Sequence, residues 1–294
     1  MSKRKCVKKI KNRKKFVLSG SEIQDLTREV KQVILTIVVF NAIIYLRREK
    51  DEMNTIKFDN KNVKMVAHRG LSGLEKENTN AAFVAAGNRN YFGIETDIHR
   101  TLDGDFIVFH DDFTGRVCID NMEVEKTTTA CLRSLQLTDI DGVKGRTDLV
   151  MPTLTEYIRI CKKYEKVAVL ELKNVFKRED VFKICEIIEG EGYLDKVVFI
   201  SFKLENLIYL RLKYPNQAAQ YLVSTYDEGL KELLVSEKLD LDIKHTALTK
   251  EIIDDLHASG IIVNCWTVDD PERAAELVEM GVDMITSNIL QGVN

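Results

Sequence analysis

MVAHRG, residues Met65–Gly70, is an apolar run that ends abruptly in polar groups. Such a run predicts a buried strand that delivers His68 and Arg69 to its carboxyl end. Gly70 then lets the chain turn away sharply, because glycine tolerates backbone angles that other residues avoid. We expect this strand to be the first of a series, and its polar end marks one side of a candidate site.

Two later strands are also predicted to end in charged residues. The stretch GIETDI alternates as strands do, so its Glu95 and Asp97 project from the same face. A later apolar run leads into Glu171 and Lys173, which again share a face. Charged side chains therefore recur at the carboxyl ends of separate strands.

An Asp-Gly pair at Asp103–Gly104 lies between two β-like runs, which is the strongest short-range hairpin signal. The run FIVF that follows is therefore predicted to return antiparallel beside the Glu95 strand. It delivers His110 and Asp111 to the same region. Residues 101–150 form a predicted insertion after the second strand, irregular in pattern, and we expect it to lie over the site.

From residue 63 onward, strand and helix patterns alternate in about eight repeats over some 230 residues, the size and period of a (β/α)8 TIM barrel. A doubly wound sheet uses the same alternation, so the period alone does not choose between them. Polar residues follow at least five strands, Ser201 and Trp266 among them. Barrel strands bring such ends to one mouth, whereas an open sheet spreads them along an edge. The sequence therefore predicts a TIM barrel over residues 63–294.

Residues 1–62 precede the barrel and divide into a basic tail, an apolar helix and a polar linker at residues 51–62. The apolar run Val33–Leu46 is roughly fourteen residues long, shorter than the ~20 that a membrane span usually needs. Residues 21–48 are predicted to form a membrane anchor or interfacial helix, or else a helix that packs on protein. The chain is accordingly expected to be membrane-associated through this helix, or otherwise cytoplasmic.

The composition is that of an ordinary globular protein, since 45% of the 294 residues are hydrophobic and 30% are charged. The net charge of -3 gives no global reason to expect a nucleic acid as partner. Six cysteines are scattered without a close pair or a metal-type spacing, which predicts free thiols.

Glu95, Asp97 and Glu171 are predicted to meet at the barrel mouth. Three negative charges in a low-dielectric site repel each other, and a hard divalent cation with oxygen ligands relieves the repulsion. Mg²⁺ or Ca²⁺ suits such a site better than Zn²⁺, which prefers His or Cys ligands. The alternative is that each acid pairs with Arg or Lys, for instance Glu171 with Lys173.

Two histidines, His68 and His110, follow strands beside this acidic cluster. Hydrolysis of a phosphodiester needs one group that takes a proton from the attacking hydroxyl and one that protonates the leaving alkoxide. We predict that these histidines are the catalytic acid and base. His99, His245 and His257 lack acidic neighbours of this kind and are predicted to be structural.

Positive charge for a phosphate would come from Arg69 and Lys173, because a guanidinium binds oxygens as a fork and an ammonium acts as a point charge. The alternative for both is charge balance within the mouth. Trp266, the only Trp, is predicted either to wall a substrate pocket or to pack in the core.

Together these residues resemble the ordered motifs of the glycerophosphodiester phosphodiesterase family. The motifs are His68-Arg69-Gly70, Glu77-Asn78-Thr79, Ile94-Glu95-Thr96-Asp97, Asp103-Gly104, His110-Asp111, Pro152-Thr153-Leu154, Glu171-Leu172-Lys173, Ser201-Phe202 and Trp266-Thr267-Val268. Each motif alone is weak, but their common order is specific. The resemblance begins near Val63, and the one departure is Lys76 where the family usually has Pro.

The resemblance implies a TIM barrel with a small insertion after the second strand. It implies a divalent metal held by three acids, acid and base histidines, and two cations near the phosphate: Glu95, Asp97, Glu171, His68, His110, Arg69 and Lys173. The family's reaction gives glycerol 3-phosphate and an alcohol from a deacylated phospholipid.

Three functions are compatible with these residues. The first is metal-dependent hydrolysis of a small glycerophosphodiester. The second is a lysophospholipase D that acts on membrane lysolipids, suggested by the apolar amino-terminal segment. The third is a noncatalytic barrel that binds a phospholipid headgroup.

Overall fold

The computed structural model describes Ser19, residues 30–40 and residues 54–293. Within residues 54–293, eight parallel strands form a closed barrel, because the first barrel strand pairs with both the second and the last. Helices surround the strands. This arrangement confirms the predicted (β/α)8 TIM barrel.

The strands are β1 (Ile56–Phe58), β2 (Lys64–Ala67), β3 (Gly93–Arg100), β4 (Phe106–Val108), β5 (Val167–Leu172), β6 (Val197–Ser201), β7 (Ala219–Val223), β8 (Asp240–Lys244), β9 (Val263–Trp266), β10 (Met284–Ser287) and β11 (Leu290–Gly292). The α-helices of residues 54–293 are α1 (Asn80–Gly87), α2 (Thr129–Ser134), α3 (Leu154–Lys163), α4 (Arg178–Gly190), α5 (Leu204–Lys213), α6 (Leu230–Glu237), α7 (Lys250–His257) and α8 (Pro271–Met280). All strands except β1, β4 and β11 belong to the barrel wall.

Local sequence explains where several helices begin. The hydroxyl of Thr153 accepts from the backbone of Glu156 while the Glu156 carboxylate accepts from the backbone of Thr153, so α3 starts with a capping box. Thr79 caps α1 and Asp270 caps α8, which has Pro271 in its first turn. These caps satisfy backbone donors that a helix leaves unpaired at its start.

The barrel strands are buried on both faces, as parallel strands under a layer of helices must be. One large hydrophobic cluster joins the outer faces of the strands to the apolar faces of the helices. A smaller cluster lies inside the barrel and contains Val66, Val169, Ile200, Leu222 and Met284. The strand ends above this inner cluster are therefore held in a rigid frame.

The hairpin after β3 is present as predicted, because β4 pairs antiparallel with β3. Gly104 has a φ of 81°, a left-handed conformation that favours glycine in this turn. The rest of the insertion is more ordered than its irregular sequence suggests. It contains α2, two short 3₁₀ helices and a core of its own, which includes Phe109, Leu132 and Leu149. Elements of three to six residues show too little periodicity to be recognised from sequence.

The predicted linker at residues 51–62 is described only from residue 54, and there it differs from the prediction. Ile56–Phe58 form β1, which pairs parallel with β11 at the end of the chain. The hydroxyl of Thr55 donates to Gln291 at 2.7 Å, and Phe58 is buried. Residues 54–62 therefore belong to the barrel unit.

The amino-terminal unit is described over residues 30–40, which are helical and have exposed side chains. Among the described residues, no helix has the length and apolar character needed to cross a bilayer. The rest of the predicted 21–48 segment, and nearly all of the basic tail, lie outside the described residues. The five described cysteines are free thiols; Cys6 lies outside the described residues.

Candidate active site

The carboxyl ends of β3 and β5 bring three acidic side chains together. Carboxylate oxygens of Glu95, Asp97 and Glu171 all lie within 4.8 Å of one another, and all three residues are buried. The pairing of β3 with β5 places Asp97 beside Glu171. The structure thus brings the three predicted metal ligands into one cluster.

Two positively charged side chains contact this cluster. Lys173 Nζ lies 2.9 Å from Glu171 Oε1 and 3.3 Å from Asp97 Oδ1. Arg69 Nε lies 3.6 Å from Asp97 Oδ2. The predicted charge-pairing alternative is therefore present for Asp97 and Glu171, and it coexists with the acidic cluster.

The cations do not balance the three acids equally. Burial, with the charges of Asp97 and Glu171, raises the pKa of Glu95 well above its usual range. Burial and Asp97 raise the pKa of Glu171 to about 8. Burial also opposes ionisation of Asp97, but Lys173 and Arg69, together with His110 and the hydrogen bond from Asn78, hold its pKa below the ordinary value. The nearby positive charge thus does not balance Glu95 and Glu171. A divalent cation would supply the missing charge, and it suits a site whose donor atoms are all oxygens.

Two residues with strained backbone donate hydrogen bonds to the acidic cluster. Arg69 and Asn78 have positive φ values of 53° and 55°, which non-glycine residues seldom adopt. In this conformation the Arg69 backbone N–H donates to Glu95 Oε2 at 2.7 Å. The Asn78 amide donates to Asp97 Oδ2 at 2.8 Å. Strained backbone of this kind is commonly found where a site requires it.

His68 lies beside the acidic cluster, and its surroundings keep it neutral. Its Nδ1 is 2.7 Å from the side-chain oxygen of Asn288, in the loop after the last barrel strand. Burial and the charge of Arg69 lower the pKa of His68 to about 4. The imidazole is therefore uncharged at neutral pH and able to accept a proton.

His110 lines the same cleft and has a different partner. Its Nδ1 lies 2.6 Å from Asp111 Oδ1, and Asp111 is in turn bound by Arg116 Nε at 2.6 Å. Burial lowers the pKa of His110 in spite of the favourable charge of Asp97. The second histidine is thus oriented by a carboxylate where the first is oriented by an amide.

His99, predicted to be structural, is fully buried next to this histidine. Its Nε2 lies 3.2 Å from the backbone oxygen of His110, and its Nδ1 lies 3.3 Å from Glu125. It therefore supports the segment that carries His110.

The cleft between these groups has a volume of about 110 Å³. Its lining includes His68, Arg69, Glu95, His110, Glu171, Lys173, Phe202, Asp242 and Trp266. The Trp266 and Phe202 rings pack edge to face with centroids 5.6 Å apart, so the Trp both lines the cleft and packs on a neighbour.

Several polar residues of the site were not assigned a role from the sequence. Glu77 accepts from Arg69 and from Arg116. Asp242 lies buried in the cleft lining, and its Oδ1 has no hydrogen-bond partner within the described region. Asp269, Asp111, Asn78 and Asn288 position other site residues through hydrogen bonds. Glu77-Asn78 and His110-Asp111 stand inside motifs, but Asn288 carries no local signal.

Comparison with known proteins gives relatives that match most of the barrel. A glycerophosphodiester phosphodiesterase of Caldanaerobacter subterraneus subsp. tengcongensis is 26% identical over 230 residues, which cover 76% of this chain and 93% of that relative. One of Bacillus altitudinis is 27% identical over 234 residues, with 76% and 93% covered.

Solved structures of phosphodiesterases also resemble this chain. A phosphodiesterase from Oleispira antarctica, solved in complex with the product sn-glycerol-3-phosphate, has a TM-score of 0.71 at 28% identity, with 77% of this chain and 93% of that chain covered. A glycerophosphodiester phosphodiesterase from Parabacteroides distasonis has a TM-score of 0.64 at 26% identity, with 77% and 93% covered.

The model of the glycerophosphoryl diester phosphodiesterase family matches residues 68–290. This range includes both cleft histidines, the acidic cluster and both cations. Because the match covers well over half of the chain, the chain belongs to the glycerophosphoryl diester phosphodiesterase family.

Proposed function

We propose that this chain hydrolyses glycerophosphodiesters to glycerol 3-phosphate and an alcohol with the help of one divalent cation, Mg²⁺ or Ca²⁺. The observation that carries the proposal is one cleft lined by two histidines, two cations and the buried carboxylates Glu95 and Glu171. Hydrolysis of a phosphodiester uses all three kinds of group. Its oxygens carry negative charge, and one proton must leave the attacking group while another reaches the leaving group.

Glu95, Asp97 and Glu171 would hold the cation through their carboxylate oxygens. A cation bound there supplies positive charge that polarises a phosphoryl oxygen. Arg69 and Lys173 would bind the nonbridging phosphate oxygens, and their position in the cleft lining supports this role. Trp266 and Phe202 form an apolar wall beside them.

His68 and His110 are the proposed acid and base. Both line the cleft, and in both the Nδ1 atom is engaged by a neighbouring side chain. The Nε2 atoms are therefore the ones left to exchange protons with substrate. One takes a proton from the attacking water, and the other protonates the oxygen of the leaving alcohol.

The test is hydrolysis of glycerophosphocholine by the purified protein, followed by the release of choline and glycerol 3-phosphate. We expect EDTA to abolish turnover and Mg²⁺ or Ca²⁺ to restore it. H68A and H110A should each lower kcat by about 100-fold or more. H257A, an exposed histidine paired with Asp283, is the matched control and should leave kcat unchanged. Turnover that survives EDTA, or normal activity in either cleft variant, would refute the proposal.

The lysophospholipase D alternative is tested with the same protein and lysophosphatidylcholine as substrate. A higher kcat/KM for the acylated compound than for glycerophosphocholine would replace the small-substrate function with this one. We also propose that residues 21–48 attach the chain to membranes, on the basis of their basic and apolar sequence. Sedimentation of residues 1–62 with vesicles after an alkaline wash tests this attachment, and release into the supernatant would contradict a membrane anchor.

A further inference from the structure

We infer that Asn288, held in place by Asp269, is a positioning residue that fixes the ring proton of His68 on Nδ1 and leaves Nε2 free to accept a proton. This role deepens the proposed function and rests on it, because it assigns His68 as the base and leaves His110 as the acid. It follows from the hydrogen-bonding capacities of three side chains that meet at the junction of β2 and β10.

The first step concerns the carboxylate of Asp269. An ionised carboxylate only accepts hydrogen bonds, and this one is surrounded by donors. Its Oδ1 accepts from the Asn288 backbone N–H at 2.8 Å and from the Ser287 hydroxyl at 2.9 Å. Its Oδ2 lies 2.6 Å from Asn288 Nδ2. The amide nitrogen of Asn288 must therefore face Asp269, because the opposite orientation would set an oxygen against a carboxylate.

The second step concerns the amide oxygen, whose direction is now determined. Asn288 Oδ1 lies 2.7 Å from His68 Nδ1 and 2.7 Å from the Ser72 hydroxyl. An amide oxygen only accepts, so Nδ1 of His68 must carry a hydrogen. In the neutral ring the lone pair is then on Nε2. Because His68 lines the cleft, Nε2 and its lone pair are available to a substrate there.

The third step compares the partners of the two histidines. The charged or titratable groups that act on His68 are Arg69, Asp97 and His110, and its direct partner Asn288 is neutral. His110 has the carboxylate of Asp111 on its Nδ1 instead. A carboxylate stabilises the protonated ring, whereas a neutral amide beside a guanidinium does not. His68 is therefore the ring that is unprotonated on Nε2 before the reaction and can act as the base, whereas His110, beside Asp111, is better able to carry a second proton and act as the acid.

The proton balance is as follows. As the oxygen of a water molecule forms its bond to phosphorus, one of its protons moves to Nε2 of His68. The bond from phosphorus to the leaving oxygen breaks, and that oxygen receives the Nε2 proton of His110, which enters the step doubly protonated with its other proton on Nδ1 beside Asp111. After product release, the two rings return to their starting states by exchange with solvent.

The decisive variant is D269N, which replaces one carboxylate oxygen with an N–H donor. The new amide can keep its oxygen on the Asn288 backbone and Ser287, but its nitrogen would then oppose Asn288 Nδ2. Rotation of the Asn288 amide removes this conflict and turns Nδ2 toward His68, which forces the ring proton onto Nε2. We expect kcat to fall by roughly 100-fold or more, with a smaller change in KM.

D270N is the matched control, because Asp270 is the adjacent acid and its side chain caps α8 through the Glu272 backbone. Asn caps helices about as well as Asp, so D270N should keep both fold and activity. N288A is a second variant that removes the acceptor and should lower kcat by about 10- to 100-fold.

The ring proton itself is observed by ¹⁵N NMR of the full-length protein labelled at histidine, with the His68 signals identified by their loss in H68A. We expect a protonated Nδ1 and an unprotonated Nε2 in the wild-type and D270N proteins, and the reverse in D269N. A wild-type His68 with its proton on Nε2 would overturn the inference, as would D269N with unchanged tautomer and kcat. The tautomer is read without turnover, so a wild-type protein that fails to hydrolyse glycerophosphodiesters would refute the proposed function separately.

Discussion

Lys173 Nζ lies 2.9 Å from Glu171 Oε1, and both side chains are largely removed from solvent. Burial works against the charge of this lysine, yet Asp97 and Glu171 together raise its pKa above the ordinary value. The ammonium is therefore the main internal counter-charge of the acidic cluster.

We accordingly predict that K173M is destabilised in the absence of divalent cations. Removing one partner of a buried ion pair leaves a charge uncompensated, which costs about 3–5 kcal/mol of unfolding free energy. Added Mg²⁺ should recover part of this loss, since it returns positive charge to the cluster. Urea unfolding with and without Mg²⁺ measures the effect, and K196M, an exposed lysine, is the control. Equal stability of K173M and wild type in EDTA would contradict the prediction.

Binding of a divalent cation should raise the melting temperature of the wild-type protein and not that of E171Q. A ligand that binds only the folded state adds about 2.7 kcal/mol at a concentration of 100 Kd. E171Q removes the negative charge of one of the three carboxylates that would hold the cation, so the same Mg²⁺ concentration should change its melting temperature little. Differential scanning calorimetry with Mg²⁺ titration provides the measurement. E186Q, a surface glutamate paired with Lys213, should respond as the wild type does.

Acid should remove the stabilisation that Glu77 provides. Although burial opposes its ionisation, Arg116 and Arg69 lower the pKa of Glu77 from 4.5 to about 2. A lowered folded-state pKa means that the stabilisation is full above the unfolded pKa and disappears as the pH falls from about 4.5 toward about 2. E77Q should thus be less stable than wild type by about 1–3 kcal/mol at pH 7, with a smaller gap at pH 3. Urea unfolding at both pH values tests this, and a constant gap would disprove it.

Asp242 should show the opposite dependence on pH. Burial and the charge of Glu171 raise its pKa well above 3.8, and its Oδ1 is unpartnered in the described part of the chain. A raised carboxyl pKa means stability that is full below the unfolded value and lost as the pH rises. D242N imitates the protonated form, so we expect it to be more stable than wild type at pH 8 by about 1–3 kcal/mol, but not at pH 3. D255N, an exposed acid paired with Lys231, is the control.

The position of β1 predicts where the barrel domain can be cut. A protein of residues 63–294 follows the boundary expected from sequence, but it lacks the strand that pairs with β11 and the buried ring of Phe58. We expect it to melt about 5–10 °C below a protein of residues 54–294, because it loses roughly 2–3 kcal/mol of burial. Equal melting temperatures would show that β1 contributes nothing to stability.

Sequence patterns sufficed for the parts of the fold that repeat. The eight barrel strands and the helices between them carry long periodic signals, and the structure contains the predicted series of eight repeats. The polar residues at the strand ends were recognisable because a TIM barrel places all such ends at one mouth.

The residues that escaped prediction depend on contacts between distant segments. Asn288 acquires its role only when the last barrel strand lies beside the first, and Arg116 only when the insertion reaches Glu77. Ile56–Phe58 is a three-residue strand whose partner is more than 200 residues away, so no local pattern reveals it. Charge type and spacing predicted which residues meet, but not which hydrogen bonds orient them.

The contact between His68 and Asn288 also sets a time at which the site can first exist. The two residues are 220 positions apart in the chain, and Asn288 is synthesised after His68. At about 5–20 residues per second, a ribosome needs roughly 11–44 s to travel from one to the other. During that interval the histidine has no amide to orient it, so the nascent chain carries most of its chemical groups while lacking the proton arrangement needed to use them.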